Sequence, residues 1–352
     1  MKRREKTTSN GAPLARRSAK QEKNRWFRVL VLILAVIAAL ILTVGGLTFS
    51  QANTIMRQTP VSTEPYVSNT MPDFRIASFY SLDETIKLEG WFFPATRSAR
   101  GTVIMIHPVG ANRLPFDSES NHLIRSIVDS GFNFFTFDQR HSGTSGGALN
   151  TFGYSEGEDV IAAISYVKRV SGSANCVLYG VGSGTTAAIT AWQLLPEKAG
   201  TRETTETDSR VKTALDALTF DRSSVKGMIF DTPLSDSDEY IRYEVRGSEL
   251  FAKRFTQHTV PFAVRMSSNL SENINLTSVI SRLTIPVFII SPKSCEGIAT
   301  HSLTSVAAER MRIAGKNSLL LESGATDYLG SYSLDRQSYL SALENFLRTQ
   351  IP

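Results

Sequence analysis

The sequence predicts an α/β protein with a mostly parallel sheet and helices on both faces, preceded by one transmembrane helix. Two patterns predict this fold class. An uncharged apolar run extends from Val29 to Leu47, and short apolar runs alternate with helical patterns in the rest of the chain. The chain has 352 residues, 41% of them hydrophobic and 20% charged, which excludes a disordered, collagen-like or coiled-coil protein.

Charge is unevenly distributed along the chain. The formal net charge is +5, but residues 1–28 alone carry ten basic and two acidic residues, a charge of +8. No charge occurs between Val29 and Met56, so the part from Arg57 onward carries −3. A basic average can indicate nucleic-acid binding, but a basic tail beside an apolar run is explained by membrane topology. We therefore expect no nucleic-acid partner.

The apolar run fits a membrane span. As a helix, its 19 residues extend about 28 Å, close to one hydrocarbon thickness. Trp26 and Phe27 stand at its edge, where aromatic side chains anchor in the headgroup region. We expect a basic cytoplasmic tail over 1–25 and a signal anchor over 26–49 that contacts the lipid bilayer. The positive-inside rule then predicts a single-pass cell-membrane protein with its C-terminal part outside.

A cleaved signal peptide is the alternative, since Ser50-Gln51-Ala52 resembles a small-x-small cleavage site. Residues 50–70 contain several prolines, serines and threonines and are predicted to form a polar linker. The remaining residues, 71–352, are predicted to form one extracytoplasmic domain.

Strand patterns recur through this domain. Phe74–Ser81 and Thr85–Ala95 predict an antiparallel pair joined by a turn. Runs typical of strands buried on both faces follow at Thr102–His107, Asn133–Asp138, Cys176–Val181, Lys226–Asp231, Pro286–Ser291 and Ser318–Glu322. Helical patterns lie between them, and alternation of this kind predicts a mostly parallel sheet.

Two longer stretches interrupt the alternation. Leu234–Leu283 is long enough to form a helical cap over the strand ends, and Pro196–Arg210 is predicted to be a polar loop. The chain has two cysteines, too few for a disulfide framework. Cys176 begins one predicted strand and Cys295 follows the end of another, at opposite ends of the sheet, so we expect no bridge.

The residues that follow the strands resemble a known family. They are His107-Pro108-Val109-Gly110, Asp138 to Gly147 (DQRHSGTSGG), Gly180 to Gly184 (GVGSG) and Lys226 to Pro233 (KGMIFDTP). Over residues 74–350 their order and spacing resemble the α/β-hydrolase superfamily, and are most similar to bacterial members known as membrane-anchored esterases or serine peptidases. The resemblance implies an α/β-hydrolase fold with a capped pocket.

The resemblance also implies a catalytic triad, and its three positions carry other residues here. The nucleophile belongs at the centre of G-x-S-x-G, where this chain has Gly182, with Ser183 one residue later. Cys295, beside Glu296, stands where the acid is expected, and Asp327 stands where the histidine is expected. Because losing the nucleophile or its histidine costs on the order of 10⁶ in rate, we predict a non-catalytic protein. Its capped pocket would bind a small molecule or a protein partner.

An active serine hydrolase of carboxylic esters or short peptides is the alternative. It would use Ser183 as nucleophile, Asp231 as acid and His107 as base. The backbone N–H of Ser183 stands at the oxyanion-hole position, and a loop donor would come from Val109 or Gly110, since Pro108 has no N–H. His107 has a second interpretation, as a hydrogen-bonded residue that shapes the oxyanion loop. We expect no metal or other cofactor, because the His, Cys, Asp and Glu residues lack ligand spacing.

Overall fold

A computed structural model describes residues 13–63, 67–200, 208–270 and 272–351 of the chain. Its contacts divide the chain into two units, Met1–Ser50 and Gln51–Pro352. The first unit contains most of helix α1 (Pro13–Met56). From Arg25 onward α1 is long and apolar enough to cross a membrane, with a mean hydropathy of 3.0 over an 18-residue window. Length and composition alone make this a candidate span, and a signal sequence meets the same test.

The second unit is built on an eight-stranded mixed sheet in the order β1-β2-β4-β3-β5-β6-β7-β8. β1 pairs antiparallel with β2, β2 pairs antiparallel with β4, and all other neighbours are parallel. The strands are β1 (Arg75–Tyr80), β2 (Lys87–Phe93), β3 (Thr102–Ile106), β4 (Asn133–Asp138), β5 (Cys176–Val181), β6 (Val225–Asp231), β7 (Val287–Pro292) and β8 (Ser318–Ser323). Each lies within two residues of a predicted strand, so the predicted fold class is confirmed.

Helices cover both faces of this sheet. They are α2 (Ser120–Asp129), α3 (Glu156–Ser171), α4 (Gly184–Leu194), α5 (Ser209–Asp216), α6 (Ser237–Gly247), α7 (Lys253–Thr256), α8 (Val260–Met266), α9 (Leu276–Ser281), α10 (Thr300–Ala314), α11 (Ser331–Leu334) and α12 (Arg336–Thr349). Side chains of β3 alternate between the two cores, as strand geometry requires. Ile104 and Ile106 join the core that includes α3 and α4, whereas Val103 and Met105 join the core of α2 and α12.

Short helices α6 to α9 occupy the segment 234–283, where the sequence predicts a cap. Asp236 and Asn275 cap the N-termini of α6 and α9 by accepting backbone N–H groups. A buried polar network holds α6: the Tyr154 hydroxyl donates to Asp238 at 2.8 Å, and Asp238 also pairs with Arg265 of α8. Of the predicted loop Pro196–Arg210, residues 201–207 lie outside the described part of the chain.

The segment predicted as a linker over 50–70 contains part of the domain core. Residues 51–56 form the last turns of α1, and Ala52, Ile55 and Met56 are buried in the core that contains α3 and α4. Their i, i+3 and i+4 spacing places them on one helix face, which explains how a helix end packs where the flanking prolines indicate a spacer. Cys176 and Cys295 are both buried free thiols.

Candidate functional site

The turn between β5 and α4 has the sharp strand-to-helix shape that its glycines predict. Gly182 takes a φ of +52°, and its N–H donates to the carbonyl oxygen of Asp231 at 2.9 Å. A side chain on Gly184 would collide with the carbonyl oxygen of Ile106, so this position requires glycine. The turn therefore presents position 182 at the carboxyl end of the parallel strands, where a nucleophile would stand.

Tyr328 fills the space in front of Gly182. A Cβ atom on Gly182 would lie less than 3.0 Å from the Tyr328 hydroxyl oxygen and 3.2 Å from Cβ of Pro108. Tyr328 belongs to the loop between β8 and α11, directly after Asp327. No side chain fits at position 182 while the Tyr328 ring keeps this place.

The cap holds Tyr328 from the other side. The Tyr243 ring of α6 packs on the Tyr328 ring, with 4.7 Å between ring centroids and 39° between planes. Gly297 adopts a φ of +77° beneath Tyr243, where a Cβ atom would lie 3.4 Å from Cε2 of that ring. Loss of solvent around the hydroxyl raises the pKa of Tyr328 well above its ordinary value. Tyr328 is therefore a neutral phenol and not a base.

Ser183 lies directly before the first residue of α4, with its side chain buried. Its Oγ accepts a hydrogen bond from the backbone N–H of Val109 at 2.8 Å. The N–H that the sequence suggests as an oxyanion donor is thus bound to the serine hydroxyl. Gly110, the second predicted donor, lies beside Gln58: a Cβ atom on Gly110 would be 3.0 Å from Gln58 Oε1.

His107 is buried at the end of β3, and both nitrogens of its ring have partners. Nδ1 lies 2.8 Å from the Pro108 carbonyl oxygen, to which it donates, and Nε2 accepts from the Gln139 backbone N–H at 3.1 Å. Burial lowers the pKa of His107, so the ring is neutral in this environment. These bonds match the interpretation of His107 as a residue that shapes the loop.

Asp231 is buried at the end of β6 and is hydrogen-bonded to one tyrosine and one threonine. It accepts hydrogen bonds from the Tyr339 hydroxyl at 2.7 Å and from the Thr232 hydroxyl at 2.9 Å, and Tyr339 is also bonded to Tyr179. Burial raises the pKa of Asp231 to about 6. Among the hydrogen bonds of the described residues, none joins Ser183, His107 and Asp231 to one another.

The structure does bring the loops of Cys295 and Asp327 together. The Glu296 N–H donates to the carbonyl oxygen of Thr326 at 3.1 Å, which joins the loop after β7 to the loop after β8. Burial raises the pKa of the Cys295 thiol, and the nearby Asp327 and Glu296 carboxylates add to this effect. The loops that carry two of the triad positions are therefore in contact. The residues at these positions are Cys295, a protonated thiol, and Asp327, an exposed carboxylate, and neither has an imidazole.

Residues 51–61, here called the covering segment, lie over the same region. The Gln58 side-chain amide donates to Glu244 of α6 at 2.6 Å, and the Asn150 N–H donates to the Met56 carbonyl oxygen at 2.8 Å. Only about 10 Å³ remains in the cavity that this segment lines with Val109 and Gly110. Sequence patterns gave no signal for the contact with Glu244, because it joins residues 186 positions apart.

The charged groups of the strand-end loops pair with one another and with neighbouring helices, so these loops have a structural role. Asp138 accepts hydrogen bonds from the Arg113 backbone and side chain and from the Thr144 N–H, and Arg140 pairs with Asp159 and Glu158. Within the described ranges, no group of three or more His, Cys, Asp or Glu residues could hold a metal ion.

Comparison with known proteins supports the fold. No family model matches the chain. It is 24% identical over 275 residues to the uncharacterized protein YqkD of Bacillus subtilis (strain 168), covering 78% of each chain. The Pyrococcus furiosus esterase Pf2001 superposes with a TM-score of 0.61 at 17% identity, covering 85% of this chain and 99% of that one. The α/β hydrolase GrgF from Penicillium sp. sh18 gives 0.51 at 16%, covering 79% and 99%. The chain described here therefore has the α/β-hydrolase fold.

Proposed function

We propose that this chain is a non-catalytic α/β-hydrolase-fold protein that is anchored in the cell membrane and acts by binding. The contact between Tyr328 and Gly182 carries the proposal, because the phenol stands where the nucleophilic side chain of a hydrolase would project. A serine hydrolase needs a nucleophile, an adjacent base and a group that orients the base. Here the three positions hold Gly182, Asp327 and Cys295.

None of these groups replaces the missing imidazole. A carboxylate such as Asp327 is too weak a base at neutral pH unless its pKa is strongly shifted. The thiol of Cys295 is held protonated by burial and by its two carboxylate neighbours, so it is a poor nucleophile. Its pKa is shifted in the direction opposite to that of a reactive cysteine.

The anchor in this proposal is the segment 26–49, with the tail 1–25 in the cytoplasm and 71–352 outside. Its support is the +8 charge of residues 1–28 and the apolar stretch of α1. Cleavage after Ala52 would remove Gln51 and Ala52, which are both buried, and this favours an uncleaved anchor. Intact-mass measurement of the membrane-extracted chain tests this anchor. We expect the full-length mass, and a chain starting near residue 53 would contradict the proposal.

Binding is the role left to such a domain. A small molecule reaches Gly182 only if Tyr328 or the covering segment moves, so the capped pocket would bind by displacing one of them. An open groove of about 850 Å³ already exists beside the cap. Polar side chains from α9, from α10 and from the loop that follows β6 line it, and they include Asp236, Arg282, His301 and Glu309. Its mixture of both charge signs suits a small polar or zwitterionic ligand.

The alternative is an active esterase or peptidase that uses Ser183. Two observations favour it: the structural neighbour Pf2001 is an esterase, and Ser183 stands at the N-terminus of α4 beside the Val109 N–H. The alternative needs His107 to give up one of its two hydrogen bonds and approach Ser183.

Turnover of activated short-chain esters by the purified full-length chain separates the two functions. We expect a rate no higher than the buffer blank, and the same rate for Ser183→Ala. A rate above the blank that disappears in Ser183→Ala and in His107→Gln, with both variants folded by circular dichroism, would establish the hydrolase. A matched control is Ser333→Ala, which replaces an exposed serine remote in sequence from the turn.

A further inference from the structure

Exposed apolar side chains are concentrated in one short stretch of the cap. Outside α1, eleven large hydrophobic side chains of the described residues are exposed, and five of them fall within residues 251–270. Phe251 and Phe255 are 80% and 79% exposed. We call the five the cap patch: Phe251, Phe255, Phe262, Met266 and Leu270. Single exposed apolar residues are ordinary, but a concentration of phenylalanines marks an interaction surface.

The cap patch is distinct from the face that attaches the cap to the domain. Helix α8 buries Val260, Ala263 and Val264 against the core and leaves Phe262 and Met266 exposed. The two exposed residues are four positions apart and therefore share a helix face. Helix α8 therefore has two apolar sides, one packed against the core and one exposed. A helix that only covers the core needs one apolar side, so the exposed side is not explained by packing within the domain.

The patch begins beside the residue at which the chain enters the domain. The buried side-chain amide of Gln51 donates to the carbonyl oxygen of Phe251. Gln51 follows Leu47, the end of the apolar run, by four residues, and four residues span at most about 14 Å even when fully extended. Covalent connection therefore keeps Phe251 near the point where the chain leaves an anchored span.

Charge favours an anionic lipid surface as the occupant. Residues 248–258 contain Lys253 and Arg254 against Glu249, a net charge of +1, whereas the chain from Arg57 onward carries −3. Arg265 is not counted, because it pairs with Asp238. Lys253 and Arg254 lie between Phe251 and Phe255 in the sequence. Phenylalanines interleaved with basic residues are typical of segments that lie in the interface of an anionic bilayer.

We propose that the cap patch lies in the headgroup region of the bilayer that α1 enters, so that the cap rests on the lipid surface. This inference rests on the membrane anchoring proposed above. The partner is an anionic phospholipid surface, contacted by the Phe251, Phe255 and Phe262 rings with Lys253 and Arg254 beside them. Helix α6, whose Tyr243 packs on Tyr328, would then be oriented by the membrane.

Lipid quenching of a fluorescent label tests the contact in the full-length chain. The chain, with Cys176→Ala and Cys295→Ala, is reconstituted into phosphatidylcholine–phosphatidylglycerol vesicles containing doxyl-labelled lipid. An environment-sensitive label is attached at one cysteine per variant: Phe255→Cys in the patch, Ile76→Cys as an equally exposed control and Leu40→Cys in the apolar run. Circular dichroism confirms that each variant is folded.

We expect several-fold stronger quenching at position 255 than at position 76, together with quenching at position 40. Phe251→Ser with Phe262→Ser should reduce quenching at 255, and Lys253→Glu with Arg254→Glu should reduce it in anionic vesicles more than in neutral ones. Quenching at 40 without quenching at 255 would overturn the cap contact and leave the anchor standing. Equal quenching at 255 and 76 would also overturn it. Absence of quenching at 40 would refute the anchor and with it this inference.

Discussion

The hydroxyl oxygen of Tyr328 occupies the volume that the first side-chain atom of residue 182 would need. The two residues lie 146 positions apart in the sequence and meet where the turn after β5 faces the loop after β8. Glycine at 182 is therefore required twice, by the positive φ and by the tyrosine. Restoring a serine would not restore a nucleophile, because the ring must first leave.

Gly182→Ser is predicted to destabilise the chain by about 3 kcal/mol, from the positive φ and from overpacking against Tyr328. Gly172→Ser is the matched control, since Gly172 has a φ of +77° with no atom within 4 Å of an added Cβ, and it should cost about 1 kcal/mol. Denaturant unfolding of the full-length chain measures both costs.

Adding Tyr328→Ala should lower the cost of Gly182→Ser by at least about 1 kcal/mol, because the steric part disappears while the strain of the positive φ stays. The double-mutant cycle with Gly172→Ser should show no such coupling. Equal costs for Gly182→Ser in both backgrounds would mean that Tyr328 does not fill this space in solution.

Ser183→Ala is predicted to reduce stability by about 1–2 kcal/mol without changing any esterase rate. The reason is structural: its Oγ is the acceptor for the Val109 N–H, which would be left unpaired in a partly buried loop. Thermal unfolding measures the loss, and Ser333→Ala, an exposed serine, should stay within about 0.5 kcal/mol of the wild type. An unchanged stability for Ser183→Ala would show that the Val109 contact contributes nothing.

Because Asp231 is buried, we predict that the free energy of unfolding depends on pH, and that Asp231→Asn removes this dependence. Burial raises the pKa of Asp231 to about 6 in the folded chain, above the value of about 3.9 expected when unfolded. Between these two pKa values the Asp231 carboxyl is ionised in the unfolded chain but still protonated in the folded chain. The free energy of unfolding therefore falls as pH rises, and it levels off above pH 6. The full effect is about 3 kcal/mol.

Measuring unfolding free energies from pH 4 to 7 for wild type and Asp231→Asn isolates this effect from other carboxyls. The difference, wild type minus variant, should fall by about 2 kcal/mol over this range, most of the full effect. Tyr339→Phe removes a hydrogen bond that lowers the Asp231 pKa, so it should extend the fall to higher pH. A difference that is constant with pH would show that Asp231 ionises normally.

Ile55→Ala should cost about 2–4 kcal/mol, because Ile55 is buried in the domain core although it follows the apolar run closely in sequence. Val61→Ala, in the exposed part of the covering segment, should change stability by less than about 0.5 kcal/mol. Similar small effects for both substitutions would support the polar linker that composition suggests.

Sequence patterns were sufficient for the sheet because its central strands are buried on both faces and therefore read as uninterrupted apolar runs. Thr102–Ile106 and Cys176–Val181 are examples in which every residue is buried. The glycines at 180, 182 and 184 likewise predicted a turn, because their need for space is local. Such features depend on neighbours in the chain.

The sequence did not predict that Tyr328 fills the space beside Gly182. The residues around Tyr328 do not indicate which strand-end loop its ring will contact. The covering segment shows the opposite case. The prolines and serines of residues 50–70 favoured a linker, but Ala52, Ile55 and Met56 already show the spacing of a buried helix face. The composition of residues 50–70 as a whole therefore outweighed a helical pattern that is confined to residues 51–56.

Treatment of the full-length chain with a fluorophosphonate, followed by intact mass and peptide mapping, tests the absence of catalysis most directly. Fluorophosphonates form a bond with an activated serine oxygen and release fluoride, so they report nucleophile and base together. We expect an unmodified mass for the wild type and for Ser183→Ala alike. A single adduct on the wild type that maps to Ser183 and is lost in Ser183→Ala would contradict it.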